Sequence, residues 1–107
     1  MEMPLIFDEN GDVSLYWSLK DAQRNIEAID VKNDEYVGYD AIGRLLSLKA
    51  INLQSSEISL AEDRPLHAQD VVVALRRYIA ERQTRKDLES FSLTELLAII
   101  ETNKIKN

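Results

Sequence analysis

The sequence predicts an α+β fold, with an antiparallel sheet of about four or five strands packed against one N-terminal and two C-terminal helices. Three observations lead to this prediction. Asn10-Gly11 lies between two apolar runs and favours a tight hairpin, because both central residues of a type I′ turn need positive φ. Residues 35–62 are rich in strand formers and turn residues. Residues 68–83 and 93–101 show the apolar spacing of amphipathic helices.

A hairpin is predicted at the start of the chain. Its strands are residues 4–7 and 13–17, on either side of the Asn10-Gly11 turn. A two-residue turn would set Glu9 opposite Asp12, and like charges directly opposite each other are destabilising. We therefore expect either a wider loop or a cation that relieves the repulsion.

A helix and three further strands are predicted next. Ser18 followed by Asp21 resembles a capping box, so the helix is predicted over residues 19–29. Residues 40–43 have the pattern of a type I turn closed by Gly43 in the left-handed region. The antiparallel strands before and after this turn are predicted at residues 35–41, 44–53 and 57–62.

The second half of the chain is predicted to be helical. A continuous apolar stripe predicts a long helix over residues 68–83. Ser92 and Glu95 form a full capping box, so the last helix is predicted over residues 93–101. Residues 103–107 are expected to fray.

Length and composition limit the class of protein. With 107 residues, the chain is expected to form a single domain, residues 1–107. The absence of Cys excludes disulfides, iron–sulfur clusters and thiol chemistry. No segment approaches the roughly 20 apolar residues of a membrane span, and no basic start with an apolar run indicates a signal peptide. We therefore expect a soluble cytoplasmic protein with no membrane partner.

The net charge of −6 is spread unevenly along the chain. Residues 1–63 contain 13 Asp/Glu and 5 Lys/Arg, a net charge of −8, whereas residues 64–107 contain 6 Asp/Glu and 8 Lys/Arg, a net charge of +2. An acidic half repels phosphate and speeds encounter with cationic partners. Solubility alone explains the same charge, so this alternative stays open.

No catalytic set and no cofactor site are predicted. His67 is the one histidine, and a polar first-turn residue near Asp70 explains it without catalysis. One His and no Cys cannot make a zinc site, and the acidic loop at residues 8–12 departs from the calcium-loop pattern. Three glycines and no phosphate-loop motif argue against a nucleotide. We expect no enzyme, no catalytic residue, no metal and no cofactor.

Residues 29–48 carry carboxylates beside tyrosines, without a nucleophile or a base. Negative charge next to aromatic edges suits the binding of a macromolecule. Tyr36 and Tyr39 fall on opposite faces of one predicted strand, so at least one is expected to be partly exposed. The predicted partner-binding residues are Asp30, Asp34, Glu35, Tyr36, Tyr39 and Asp40.

A basic stretch on the long helix and after it offers a different interpretation, a contact with nucleic acid. Glu81 interrupts it, and cations near the C-terminal end of a helix also stabilise the helix dipole. We therefore expect no nucleic-acid partner. The basic residues are Arg76, Arg77, Arg82, Arg85 and Lys86.

Trp17 directly precedes a capped helix and is expected to pack in the core.

Two segments carry a resemblance to a known group of proteins. These segments are residues 16–22, Y-W-S-L-K-D-A, and residues 27–46, E-A-I-D-V-K-N-D-E-Y-V-G-Y-D-A-I-G-R-L-L. The chain resembles the small immunity proteins of bacterial contact-dependent growth inhibition and related polymorphic toxin systems. Its size and acidity match theirs as well.

The resemblance implies a cytoplasmic protein without catalytic activity that binds one cognate toxin domain tightly. It would block the active site or the substrate path of the toxin. Many such toxins are nucleases, and an acidic protein can occupy their basic surface as a phosphate mimic. The alternative is a small regulatory or adaptor domain that binds another protein or nucleic acid through the Arg-bearing helix. The oligomeric state stays open.

Overall fold

The α+β prediction is confirmed by a computed structural model of the chain, which describes residues 1–85 and 87–107. The strands are β1 (Leu5–Glu9), β2 (Asp12–Tyr16), β3 (Tyr36–Tyr39), β4 (Leu46–Ala50) and β5 (Ser56–Leu60). The helices are α1 (Leu19–Asn25), α2 (Ala28–Lys32), α3 (Ala68–Ala80) and α4 (Leu93–Thr102), with a 3₁₀ turn at Leu88–Ser90.

The five strands lie in two antiparallel sheets, where one sheet was predicted. The first sheet has the order β2-β1-β3, and the second pairs β4 with β5. A single bridge between Tyr39 and Leu45 links β3 to the start of β4. Beyond it the strands diverge, and a cavity of about 200 Å³ lined by Val31, Tyr36 and Leu48 lies between them.

The hairpin predicted at Asn10-Gly11 is present and has a two-residue turn, so the alternative of a wider loop is wrong. Asn10 and Gly11 have φ values of 52° and 97°, and the register sets Glu9 opposite Asp12. The carboxylate of Asp8 accepts a hydrogen bond from the backbone N–H of Gly11 at 2.7 Å, which fixes the turn locally. The repulsive pair at the end of the hairpin is therefore present in the fold.

The central strand β1 is buried on both faces. Leu5, Ile6 and Phe7 are all 0% exposed. Because side chains alternate along a strand, Ile6 packs into one hydrophobic cluster, whereas Leu5 and Phe7 pack into another. We call them the C-terminal core, which contains Ile6, Val71, Leu75, Tyr78, Leu96 and Ile100, and the N-terminal core, which contains Leu5, Phe7, Ala22, Ile26, Val31, Leu46 and Ile58.

The helix predicted at residues 19–29 is broken into α1 and α2. The side chain of Ser18 accepts a hydrogen bond from the backbone N–H of Asp21, as a cap requires. Asn25 then donates its side-chain amide to the carbonyl of Asp21, and Ile26 is extended, with φ −76° and ψ 126°. A side chain that bonds the backbone competes with the helix ladder. The break turns Ile26 into the N-terminal core.

The other helices follow their predictions closely. The capping box of Ser92 and Glu95 is present in both directions, and α4 starts at Leu93 as predicted. The long helix α3 begins at Ala68 and ends at Ala80, three residues short of the predicted end.

The expectation that residues 103–107 fray is wrong. Ile105 is 8% exposed and belongs to the C-terminal core. Asn107 accepts a hydrogen bond from the backbone N–H of Leu15 at 2.8 Å and donates one to its carbonyl at 2.6 Å. Arg82 also donates to the carbonyl of Lys106. The segment is fixed because one side-chain amide satisfies both polar groups of a strand residue.

Asn107→Ala should lower the free energy of unfolding by about 2 kcal/mol, because two hydrogen bonds to the backbone of Leu15 are lost. Asn103→Ala is the matched control, since the Asn103 amide donates only to the carbonyl of Ile99 on its own helix and should cost within about 0.5 kcal/mol. Urea unfolding of both variants measures the difference. Equal losses would show that the Asn107 contact adds nothing to stability.

Candidate functional site

The structure brings together two of the six predicted binding residues with a third carboxylate that the sequence analysis did not select. Asp30 lies on α2, Glu35 directly precedes β3, and Glu9 ends β1. A carboxylate oxygen of each residue lies within 4.8 Å of the other two. We call these three residues the acidic cluster.

Local backbone geometry forms the acidic cluster. After α2 the chain reverses through Asp34, which has a left-handed φ of 56°. The backbone N–H of Glu35 then donates to the carbonyl of Asp30 at 3.0 Å, which holds these two residues together. The register of β1 with β3 pairs Glu9 with Tyr36, the neighbour of Glu35.

The electrostatics of the acidic cluster are those of crowded like charges. A hydrogen bond with Asp30, desolvation and repulsion from Asp30, Glu35 and Glu27 raise the pKa of Glu9 to about 7. The pKa of Glu35 is also raised, chiefly by its hydrogen bond with Asp30. Below about pH 7 the cluster therefore retains a proton. A cation that approaches the cluster can take the place of this proton.

Carboxylate oxygens can hold a hard divalent cation or the ammonium or guanidinium group of another protein. Glu9, Asp30 and Glu35 are each half-buried, so their oxygens stay accessible from the surface. Glu27 is exposed, and its negative charge acts on both Glu9 and Glu35. Asp34 is exposed next to Glu35 in the chain but is not part of the cluster. The arrangement suits the binding of positive charge, and its residues include no nucleophile paired with a base.

Tyr36 and Tyr39 lie on opposite faces of β3, as predicted, and both are half-buried. Tyr36 packs edge-on against Phe7, with ring centroids 6.4 Å apart, and burial raises its pKa to about 12. Tyr39 packs against the ring of His67 at 5.7 Å, and burial raises its pKa too. Both rings contribute to the cores and present only part of their surface to a partner.

Asp40 requires a correction, because it is 0% exposed and cannot contact a partner directly. Its carboxylate accepts hydrogen bonds from the backbone N–H groups of Glu2, Ile42 and Arg44, and from Nε of Arg44 at 2.7 Å. Burial alone would raise the pKa of Asp40, but these hydrogen bonds and the charge of Arg44 outweigh it and lower the pKa below its ordinary value. Asp40 is therefore a structural residue.

Trp17 requires a correction as well, since it is 46% exposed where core packing was expected. It follows the last residue of β2 and precedes the cap of α1, and its ring lines a surface cleft of about 360 Å³. Ile100, Ile105 and Lys104 form the opposite wall of this cleft. This cleft could not be predicted from the sequence, because it depends on how residues 100–106 pack against the rest of the fold.

An apolar groove next to the acidic cluster was also missed by sequence reasoning. It lies between α2 and the loop that joins β4 to β5, and its volume is about 430 Å³. Three of the side chains that line it are more than half exposed, at 56% for Ile29, 62% for Ile51 and 83% for Leu53. The groove was missed because a strand was predicted over residues 44–53. In the structure β4 ends at Ala50, and the next residues lie in a loop.

The guanidinium groups of the basic stretch make contacts within the molecule. Arg76 donates to the carbonyls of Leu88 and Glu89. Arg82 donates to three backbone carbonyls and lies 3.8 Å from the centre of the Tyr78 ring. The other two arginines lie near carboxylates, Arg77 at 3.8 Å from Asp8 and Arg85 at 3.6 Å from Asp87, and Lys86 lies outside the described residues.

His67 precedes α3, as predicted, and lies between two carboxylates. Its Nδ1 is 3.3 Å from Asp70, and its Nε2 is 3.5 Å from Glu62. The backbone N–H of His67 donates to the carbonyl of Gly43, which joins α3 to the turn after β3. These contacts orient the residue at the start of the helix.

Comparison of the chain with protein-family models, with curated proteins and with solved structures gave no match. Among residues 1–85 and 87–107, no helix is both long enough and apolar enough to cross a membrane. The geometry described above is therefore the basis for any functional conclusion.

The acidic cluster should make folding stability depend on pH. Folding raises the pKa of Glu9 from 4.5 to about 7, so the folded state binds a proton that the unfolded state releases. The free energy of unfolding should therefore fall as pH rises from about 5 to about 8. Glu9→Gln should flatten this slope in urea titrations, whereas Asp63→Asn, which removes an exposed carboxylate outside the cluster, should not. Parallel slopes for wild type and Glu9→Gln would contradict the shared proton.

Asp40→Asn should destabilise the fold by about 3 kcal/mol at neutral pH, because it leaves Arg44 and buried N–H groups without their charged acceptor. The lowered pKa of Asp40 means that its stabilisation is present at neutral pH and lost as pH falls through the folded pKa, below 3.8. Thermal and urea unfolding would measure both effects. Asp34→Asn, at an exposed left-handed position that Asn tolerates, is the control and should change stability by less than about 0.5 kcal/mol.

Proposed function

We propose that this protein is a bacterial immunity protein that binds and neutralises a cognate toxin domain. It acts by stoichiometric occupancy, covering the active site or substrate path of the toxin, and performs no catalysis. The toxin is expected to be a basic protein, a nuclease being the best fit. On this proposal the immunity protein works in the cytoplasm, where a nuclease would reach its substrate.

One observation carries the proposal, the acidic cluster of Glu9, Asp30 and Glu35. A carboxylate oxygen of each residue lies within 4.8 Å of the other two, and a hydrogen bond with Asp30, desolvation and charge repulsion together raise the pKa of Glu9 to about 7. Natural folds retain such unfavourable arrangements mainly where function needs them. A Lys or Arg side chain from a partner would replace the retained proton and form charge-assisted hydrogen bonds with the carboxylates.

The wider surface around the acidic cluster supports the same role. Exposed Glu27 and Asp34 extend its negative charge on either side of α2. A nuclease surface that holds phosphate is basic, so it is complementary to carboxylates set close together. The resemblance of residues 27–46 to immunity proteins falls on the same segment.

A regulatory or adaptor domain that binds nucleic acid through α3 is the weaker alternative. The guanidinium groups of Arg76 and Arg82 donate hydrogen bonds to backbone carbonyls. Arg77 and Arg85 lie near carboxylates. Phosphate binding would need those donors to be free. No observation on the described residues favours this alternative over the acidic surface.

A protection assay tests the proposed function directly. The genes that flank this one would be searched for a toxin domain, which would be co-expressed with the protein, and survival would be scored against the ratio of the two proteins. Full protection should require one equivalent of the immunity protein. Protection by far less than one equivalent would indicate turnover, and no protection at any ratio would contradict the proposal.

Charge reversal of the acidic cluster should slow association with the toxin. We expect Asp30→Lys/Glu35→Lys to reduce the association rate constant about tenfold or more at low salt, and much less at high salt, where screening removes the attraction. Asp63→Lys/Glu89→Lys is the matched control, because both residues are exposed, lie outside the cluster and give the same change in net charge. Stopped-flow or surface-plasmon measurements would be made at two salt concentrations. An equal effect of both double variants would show that only net charge matters.

A further inference from the structure

The apolar groove beside the acidic cluster has no partner within the described part of the chain. Ile29, Ile51 and Leu53 expose 56%, 62% and 83% of their surfaces, although single exposed apolar residues normally lie apart. Here three of them line one concave surface of about 430 Å³. Convergence of large apolar side chains around a groove marks an interaction site more specifically than exposure alone does.

The two walls of the groove are held in position by the fold. On one wall, Ala28 and Val31 of α2 are buried, which forces the intervening Ile29 outward. On the other wall, the carbonyl of Ser55 accepts hydrogen bonds from the backbone N–H groups of Ile51 and Asn52. Asn52 also accepts a hydrogen bond from the backbone N–H of Gln54 at 2.8 Å. The loop is therefore a hydrogen-bonded turn that presents its apolar side chains to solvent.

Charge around the groove indicates the chemistry of its occupant. Asp30 follows Ile29 in α2, and side chains of neighbouring helical residues point about 100° apart. A partner that covers the exposed side of α2 would therefore meet the groove on one flank and the acidic cluster on the other. Glu27 precedes the same helix and adds a further carboxylate. Lys32 is the one cation that lines the groove, and its aliphatic stem can cover an apolar occupant while its ammonium group stays in water.

We propose that this groove receives a bulky apolar side chain from a basic polypeptide segment whose Lys or Arg side chains contact Glu9, Asp30 and Glu35. The inference rests on the proposed function, in that the segment belongs to the toxin. Beyond the proposed function, the inference is that the toxin contacts both the acidic cluster, through charge, and the groove, through an apolar side chain. Buried apolar anchors supply most of the affinity of an interface, whereas charge chiefly sets its association rate.

Two other occupants fit the charges less well. A second copy of the chain, related by a two-fold axis through the groove, would bring two acidic clusters towards each other, and their repulsion opposes such a dimer. An anionic lipid surface would be repelled by the same carboxylates. A segment with both basic and apolar side chains is complementary to the acidic cluster and to the apolar groove at once.

Synthetic peptides provide a defined probe. The first peptide is amidated and carries Trp between two Arg residues in a Gly/Ser background. The second replaces Trp with Ala, and the third replaces both Arg residues with Glu. Each would be titrated into the isotope-labelled full chain and followed by amide chemical shifts. The first peptide should shift the amides of α2 and of residues 51–54, and the other two should bind about tenfold more weakly or worse.

Variants separate the apolar groove from the acidic cluster. Ile29→Ser/Leu53→Ser should lower the affinity for the Trp peptide to that for the Ala peptide. The affinity for the Ala peptide itself should not change. Leu66→Ser/Val73→Ser is the matched control, because these side chains are 66% and 47% exposed and lie outside the groove. With the toxin domain itself, the groove variant should raise the dissociation rate about tenfold or more with little change in association rate.

Several outcomes would overturn the groove proposal, and they differ from failure of the proposed function. Equal binding of the Trp and Ala peptides, or no shift from either, would remove the apolar anchor and leave the charge-reversal experiment to judge the acidic cluster. Strong binding of the Glu peptide would contradict the charge argument. Sedimentation that shows a dimer lost in Ile29→Ser/Leu53→Ser would assign the groove to a second copy. Binding to phosphatidylserine vesicles would assign it to a membrane.

Discussion

The buried carboxylate of Asp40 is the interaction on which the rest of the structure depends. An ionised carboxylate away from water is costly unless its oxygens are satisfied, and here four hydrogen bonds from three residues satisfy them. The donors come from different parts of the chain, with Glu2 near the start and Arg44 after the turn. The neighbouring Ala41 also donates to the carbonyl of Glu2. One side chain thus connects the start of the chain, the end of β3 and the approach to β4.

The turn that follows Asp40 extends this connection to α3. The carbonyl of Gly43 accepts a hydrogen bond from the backbone N–H of His67 at 2.9 Å. Gly43 has a φ of +95°, and a Cβ at this position would collide with the backbone of Ala68. A residue with a side chain is therefore excluded both by conformation and by space. The consequence is a fixed relation between the turn after β3 and the start of the long helix.

Local signals in the sequence predicted most of the elements, because the physics of caps and turns is contained within a few residues. Ser92 with Glu95 and Asn10 with Gly11 are examples in which the residues that form the motif also explain it. The split into two sheets was not predictable, since it depends on which strands pair, and strand pairing joins residues that are distant in sequence. The break between α1 and α2 had a local cause in Asn25, but an Asn inside a helix does not by itself predict a break.

The candidate site was predictable only in part, for the same physical reason. Asp30 and Glu35 were selected for their charge, but Glu9 joins them through the pairing of β1 with β3, which the sequence does not specify. Asp40 carried the same charge signal and is buried, so charge alone does not separate a surface carboxylate from a structural one.

Strand β1 has a consequence for how the molecule opens. Its backbone is paired with β2 on one edge and β3 on the other, and Leu5, Ile6 and Phe7 are closed from solvent on both faces. Both hydrophobic cores share this strand, so neither core can come apart alone without exposing one face of it. Backbone amides of Ile6 and Phe7 should therefore exchange with deuterium only through global unfolding, whereas those of the loop at residues 51–54 should exchange through local openings. The surface that meets a partner can then rearrange on a short timescale while the strand that organises the fold stays closed.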